Sequence, residues 1–356
     1  MRGFAIALVP AVATLAVGCT HRDRVSPTKP QQEPRRSVSG SQTGFGLNGN
    51  RIAWVGTRVV VADLGSGRRV DVGPGGGSAP APVALSGATV LWLDNEGGLS
   101  QKNTVLVASP GRAARRLARW FPETESPLGT FFGGVSGEGN TLVLGLYKLS
   151  GNANACYEGT CRRRVSGGGT LLITPGSLGV HRVLPPSKAV AASKGSIAAA
   201  VLSFRSVYTG NAQIVVENLS AGSRRSIGRP ASVLALGLDR VHVAALIGPE
   251  HGSPTSLRVW NVATGRLVRS FRVPAVDRVV VVAGSHAVLR FGGRIFTLDL
   301  RTGRRRIISP HRLKGYPTKY GPWVSRGRVW WVESYDQGLP KGRSLIRSAP
   351  LPGPAD

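Results

Sequence analysis

Three cysteines, six histidines and eighteen carboxylates make a thin inventory for acid–base or metal-binding chemistry in a chain of 356 residues. Cys156 and Cys161 sit five positions apart in Cys-Tyr-Glu-Gly-Thr-Cys. That spacing is not the Cys-x-x-Cys of a redox-active pair, and no further soft ligands stand close enough in sequence to complete a metal site. In an exported chain the two are read first as a local disulfide, with metal and redox roles behind it. The histidines His21, His181, His242, His251, His286 and His311 are scattered, and none forms a two-residue ligand motif. His242 and His286 fall inside apolar runs and read as packed strand residues. His251, beside Glu250 in a Gly-Pro loop, is the best acid–base candidate, although a surface pair is the plainer account. Gly73-Pro-Gly-Gly-Gly77 lacks the Lys-Ser/Thr and the helix of a phosphate loop. The carboxylates are too few to place a glycosidase pair. No catalytic residue, metal site or cofactor is predicted.

Charge is the compositional oddity. Forty-six basic residues against eighteen acidic give a formal +28, and the arginines gather at particular places: Arg68, Arg69, Arg112, Arg115, Arg116, Arg224, Arg225, Arg266, Arg304, Arg305 and Arg306. A field of this sign would attract anionic lipid headgroups or anionic wall polymers. The alternative is an arginine-biased composition on solvated turns. Nucleic acid is a poor third partner, because the basic residues are not interleaved with a platform of base-stacking aromatics.

Those arginines mark a repeated element. Arg294 to Ile308 reads as a strand, a turn on Asp299, Thr302 and Gly303, and a second strand. The pattern recurs at Leu257 to Phe271, Val59 to Val72 and Ile214 to Ile227, with Asn261, Asp63 and Asn218 at the head of the turn. Ahead of each lies an apolar, β-branched run entered through a Gly turn, such as Asn48-Gly-Asn-Arg-Ile-Ala-Trp-Val55, and a weaker strand before that. Four strands every 40–50 residues, with almost no helical patterning, predict an all-β chain folded as a single β-propeller. The reading is seven blades, or six if one weak repeat is overcounted. The last repeat is one strand short, since Pro350 to Asp356 is too rich in Pro and Gly for a strand. The missing strand is expected from Arg35 to Ser39, tying the two ends of the domain together.

In such a blade the first and third turns emerge on one face of the ring and the remaining connections on the other. The elaborated connections all belong to the second set, where a rigid scaffold carries binding residues: Asn95 to Asn103, Lys148 to Gly169, Gly248 to Thr255, Ser334 to Arg343, Arg119 to Gly129 and Ser309 to Gly321. Trp120, Phe121, Tyr157, Glu158, Tyr316, Tyr320, Tyr335 and Asp336 are the candidate binding residues there, suited to a peptide or glycan. The arginines would ring the opposite face.

Two resemblances refine the reading. The hairpin turns around residues 63, 218, 261 and 299 are similar to those of TolB-type and related WD40-like propeller repeats, with weaker versions at Ser109-Pro-Gly-Arg112 and Thr174-Pro-Gly176. The likeness covers roughly residues 40–350 in periodicity. TolB proteins carry an additional N-terminal α/β domain for which this chain leaves no room, so their role is not transferred. Ala16-Val17-Gly18-Cys19, after Arg2 and the apolar Phe4 to Val17, resembles a bacterial lipobox, with Ala16 where leucine is usual. This implies a signal peptide over residues 1–18 and lipidation of Cys19, with an ordinary cleavable signal as the alternative. Residues 19–36, with Pro27, Pro30 and Pro34, would then be a flexible tether, and residues 37–356 the propeller. The expectation is a lipid-anchored module at the outer face of the cell membrane that binds or scaffolds an envelope protein, peptide or glycan. The runner-up is a hydrolase or lyase using the ring's central channel.

Overall fold

The computed structural model describes residues 36–39, 44–76, 82–96, 102–120, 128–152, 162–204, 207–249, 252–273, 276–309, 318–335 and 342–353. Cys19, Phe121, Cys156, Tyr157, Glu158, Cys161, Tyr316 and Asp336 lie outside them, and for Trp120 only the backbone is described. Among the described residues every regular element is a strand, and no helix is long and apolar enough to cross a membrane.

Among the described residues, twenty-eight strands form seven four-stranded antiparallel sheets. In the first blade Gly44–Asn48, Arg51–Val55, Arg58–Asp63 and Arg69–Pro74 pair in that order, from the inside outward. The inner strands of the later blades are Val83–Ser86, Gly129–Glu138, Ser187–Ser193, Val233–Leu238, Val280–Ala283 and Thr318–Ser325. Each packs on the next, and Thr318–Ser325 packs on Gly44–Asn48, so the ring closes with seven blades. The apolar core is divided among the interfaces between blades. Val38, Ile52, Trp54, Val332 and Ile346, for example, fill the junction of the last blade with the first. No blade could bury both of its faces alone, which is why closure is required.

The closing strand is the one anticipated. Arg36–Ser39 lies antiparallel to Arg343–Pro350 as the outermost strand of the last blade, with Arg36 opposite Ile346 and Ser39 opposite Arg343. Its alternation fits that place, since Ser37 is exposed and Val38 is buried.

The hairpin turns are built by one side chain each. Asp299 Oδ1 accepts the N–H of Arg301 at 2.9 Å, the N–H of Thr302 at 2.6 Å and the Thr302 hydroxyl at 2.9 Å. The N–H of Gly303 donates to the carbonyl of Asp299 at 2.8 Å, and Gly303 has φ of 76°. That left-handed backbone is what glycine supplies without strain. Asp63, Asn218 and Asn261 repeat the arrangement through their own Oδ1 atoms. The residue after each turn head then donates to the neighbouring first turn of the blade: Leu64 to Asn50, Leu219 to Gly195, Val262 to Val241 and Leu300 to Ser285. Both sets of turns therefore share one face of the ring, here the turn face. The opposite, loop face carries the connections between second and third strands and between blades.

The third blade departs from expectation. Its third strand is expected near Thr170 but begins at Arg164, because Thr141–Ser150 and Arg164–Ile173 pair as a long hairpin with Ser150 opposite Arg164. Gly167-Gly-Gly169 falls within the connection expected from Lys148 to Gly169. In the structure these residues stay in the strand beside a bulge, and a Cβ on Gly168 (φ 101°) would sit 2.3 Å from the Leu146 carbonyl oxygen. Strand pairing thus continues past Lys148 to Ser150 and Arg164.

Candidate functional site

The inner strands line a central channel with a cavity at each mouth, about 550 Å³ at the turn face and about 520 Å³ at the loop face. The loop-face cavity is walled by Phe45, Phe132, Tyr320 and Trp323 together with Val83, Val135, Leu234 and Val281. Phe45 and Tyr320 pack ring on ring, centroids 4.8 Å apart and planes inclined by 57°. Phe45, Phe132 and Tyr320 sit toward the loop-face ends of their inner strands, and Trp323 lies further in, where it also lines the turn-face cavity. Two guanidinium groups, of Arg278 and Arg290, complete the wall. Arg290 Nε donates to Asp277 Oδ2 at 2.5 Å, and Arg278 Nη2 donates to the Gly252 carbonyl at 3.0 Å. A mostly apolar cleft of this size with a few fixed polar groups has the usual make-up of a ligand pocket.

Beside the mouth runs an aromatic ladder. Phe131 stacks on Tyr147 at 5.1 Å and Tyr147 on Tyr208 at 6.1 Å, and Arg163 lies 4.9 Å above the Tyr208 ring. Such a cation over a ring face is attracted by its quadrupole. Lys188 approaches the same ring and donates to the Gly210 carbonyl at 3.1 Å. Next to this ladder Phe204 and Val207 are 49% and 48% exposed.

The structure divides the residues singled out from sequence. Tyr320 lines the channel mouth. Tyr335 instead donates its hydroxyl to Glu333 at 3.3 Å, in a buried cluster where Trp331 and Arg347 also donate to that carboxylate. Burial, with the Glu333 charge behind it, raises the Tyr335 pKa, so the phenol stays protonated. Trp120 ends the outer strand Arg115–Trp120 at the loop-face edge. Sequence reasoning missed Phe45, Phe132, Trp323, Arg278 and Arg290. The signal was present at Arg290, a charge interrupting the apolar run His286 to Phe291.

Arg68, Arg69, Arg115, Arg116, Arg224, Arg225, Arg304, Arg305 and Arg306 are all exposed. Most of them stand on outer strands rather than at turn tips, so they form a girdle round the rim on the turn-face side. Several tie blades together. Arg115 donates to the Leu178 carbonyl at 2.8 Å, Arg224 to the Val183 carbonyl at 2.5 Å and Arg305 to the Arg272 carbonyl at 2.7 Å. Each bond satisfies a backbone acceptor in a neighbouring blade. Arg69 lies over the Trp54 ring at 5.5 Å.

The turn-face mouth is polar and hydrogen-bonded round its rim. Asn48 donates to Leu85 at 2.9 Å and to Gly139 at 3.1 Å, and it accepts the N–H of Gly139. The inner strand of the second blade is thereby clasped between the first and third. Gly46 and Gly137 make room for it, since a Cβ would come within 2.8 Å of the Val83 carbonyl oxygen and 2.4 Å of that of Leu85. Burial raises the pKa of Glu138 at this mouth, opposed by Lys194 and Arg240 and reinforced by Asp239. A carboxyl whose folded pKa lies above its unfolded value weakens the fold once pH exceeds the unfolded pKa. Glu138→Gln should therefore raise the thermal midpoint at pH 7 and leave it unchanged near pH 3.5. Equal midpoints at both values would show that the ionised carboxylate carries no penalty.

His286 is buried, with Ser285 Oγ 3.1 Å from its Nδ1 and Asp299 Oδ2 3.9 Å from its Nε2. The residue types are those of a hydrolytic triad. The carboxylate, however, commits Oδ1 to its turn, and Oδ2 is beyond hydrogen-bond reach of the ring. Burial lowers the His286 pKa against the opposing pull of Asp299, so the ring is neutral at pH 7. The trio supports the turn rather than arming a nucleophile. His242 begins its strand, half-buried, and His181 is exposed on an outer strand; His251 and its neighbour Glu250 lie outside the described residues. Among the described residues no group of three His, Cys, Asp or Glu side chains is arranged to hold a metal.

No protein-family model matches the sequence, and no curated protein matches it. The fold is similar to solved propellers at low identity. The β-propeller domain of the trilobed protease from Pyrococcus furiosus aligns at a TM-score of 0.49 and 11% identity, over 90% of this chain and 100% of that one. Sqt1 from Saccharomyces cerevisiae aligns at a TM-score of 0.43 and 11% identity, over 91% of this chain and 100% of that one. Likeness of this degree carries no function across.

Proposed function

We propose that the chain is an exported lipoprotein, anchored through Cys19 to the outer face of a membrane, whose propeller binds an envelope protein, peptide or glycan on its loop face. The observation that carries this reading is the composition of that face. Phe45, Phe132, Tyr320 and Trp323 converge on the channel mouth, and Phe204 and Val207 stand exposed beside it. Rigid aromatic and apolar groups around a concavity are the anchors that binding surfaces use. The described residues lining that mouth are mostly aromatic and aliphatic, with Arg278, Arg290 and Ser136 as the polar ones, a lining suited to holding a partner. The lipobox-like Ala16 to Cys19 and the turns on Asp63, Asn218, Asn261 and Asp299 support placing it among lipoproteins with TolB-type repeats. The arginine girdle is a secondary surface for anionic lipid or wall polymer, favoured by the +28 formal charge.

The test pairs two variants. Excising residues 153–161 and joining Asn152 to Arg162 through a short Gly-Ser turn should abolish capture of the partner from the native envelope in mild detergent, with an unchanged thermal midpoint. Cys19→Ala should move the protein from the detergent phase to the aqueous phase on cloud-point partition. Capture that survives the excision would take the binding role away from the loop face.

A further inference from the structure

The outermost strands of blades five and six hold aliphatic side chains out in water. Seven large apolar side chains stand exposed among the described residues, and five of them, Val241, Leu267, Val268, Phe291 and Ile307, belong to these two blades. Leu267, Val268 and Ile307 lie on the outermost strands Leu267–Arg272 and Arg305–Ile307, at 52%, 44% and 56% exposure. Exposed apolar residues scattered singly need no explanation, but a sector that gathers them does. The bond from Arg305 to the Arg272 carbonyl makes the two strands neighbours on the rim. Exposed Arg266, Arg269, Arg304 and Arg306 stand among the aliphatics, and their side chains make no hydrogen bond or ion pair with the described residues. Neither strand contains an acid. Other outer strands differ: Asp71 in blade one takes up Arg58, and in blade four Arg224 bonds Glu217 while Ile227 is buried.

Aliphatic side chains interleaved with arginines suit the boundary of an anionic bilayer, where apolar groups reach the acyl region and guanidinium groups meet phosphates. The patch crosses two blade edges rather than following one, and Arg305–Ile307, at three residues, is too short an edge to template an added peptide strand. We propose that the rim of blades five and six rests on an anionic lipid surface. Leu267, Val268 and Ile307 enter the boundary between headgroups and acyl chains, and Arg266, Arg269, Arg304 and Arg306 pair with lipid phosphates. The channel axis then runs along the membrane, and the loop face stays open to a partner. The contact rests on the reading that the chain stands at a membrane; it selects one sector of the arginine girdle and adds an apolar component that charge alone lacks.

A dansyl-bearing amino acid at exposed Ser270, or at exposed Ser37 on the outer strand of the last blade, reads the contact on the full chain mixed with vesicles. With phosphatidylglycerol in the vesicles, the probe at 270 should shift to the blue and be quenched by spin-labelled lipid, and the probe at 37 should stay in water. Leu267→Ser combined with Ile307→Ser should weaken that quenching about tenfold and leave the thermal midpoint unchanged. Equal responses at 270 and 37, no response at either, or full quenching in the double variant would overturn the contact. So would a probe at 270 that answers to a soluble acidic peptide and not to vesicles. Flotation reads the anchor separately. Protein that floats with anionic but not with phosphatidylcholine vesicles, and carries the probe at 270 into them, keeps the rim contact and loses the anchor. Protein that floats with both while that probe stays in water keeps the anchor and loses the rim contact.

Discussion

Val38→Asp should destabilise the protein by about 3–5 kcal/mol, while Ser37→Asp, one residue earlier on the same strand, should cost less than about 1 kcal/mol. Val38 is 3% exposed and packs with Ile52, Trp54, Val332 and Ile346 at the junction where the ring closes, and Ser37 points outward. A carboxylate at position 38 would have to leave water among those groups without a partner. Domains of ordinary stability hold about 5–15 kcal/mol in total, so the change removes a large share. Because the strand belongs to the last blade and precedes the first, the loss acts on closure of the whole ring rather than on one sheet. Denaturant unfolding of the two variants measures it. Equal midpoints would mean that Arg36–Ser39 does not close the ring.

Asp299→Ala should cost about 2–3 kcal/mol, and Asp299→Asn less than about 1 kcal/mol. Alanine leaves the N–H groups of Arg301 and Thr302 without their acceptor in a turn whose head is 6% exposed. Asparagine keeps an Oδ1 in place, as the hairpins of the fourth and fifth blades demonstrate through Asn218 and Asn261. The native carboxylate also carries a pH signature. Burial pushes the Asp299 pKa up, but the N–H and hydroxyl of Thr302 and the N–H of Arg301 together hold it below the usual range. A depressed folded pKa gives stability that is present above the unfolded pKa and lost as pH falls through the folded value. The stability difference between native protein and Asp299→Asn should therefore change across that acidic window and stay constant above it. Parallel unfolding curves from neutral pH to the acid limit would contradict the assignment.

These two positions also show why so much of the architecture was legible. A turn headed by Asp or Asn and ended by Gly has few conformations open to it, so the hairpins at residues 63, 218, 261 and 299 could be read locally. Closure followed from counting, because a last repeat lacking an outer strand leaves an edge that the segment before the first blade can cover. The channel mouth was not legible. Phe45, Phe132 and Trp323 are ordinary aromatics in weak strands until seven blades bring the strands' ends together. The third blade misled for another reason. The connection expected from Lys148 to Gly169 takes in Gly167, Gly168 and Gly169, but the register of Thr141–Ser150 against Arg164–Ile173 keeps them in the sheet. The arginines were placed on one face because they follow the turns, and the outer strands distribute them along the rim. There they serve as donors to neighbouring carbonyls as well as carriers of charge.

The central claim is that the loop face is the face that binds. Face-resolved photo-cross-linking in the intact envelope tests it most directly. A photoactivatable phenylalanine would replace Phe204 or Val207 on the loop face, and Ala221 or Ala263 at exposed turn-face hairpins. The account predicts a common adduct from the first two positions and none from the second two. Adducts confined to Ala221 and Ala263 would contradict it and move the binding role to the turn face.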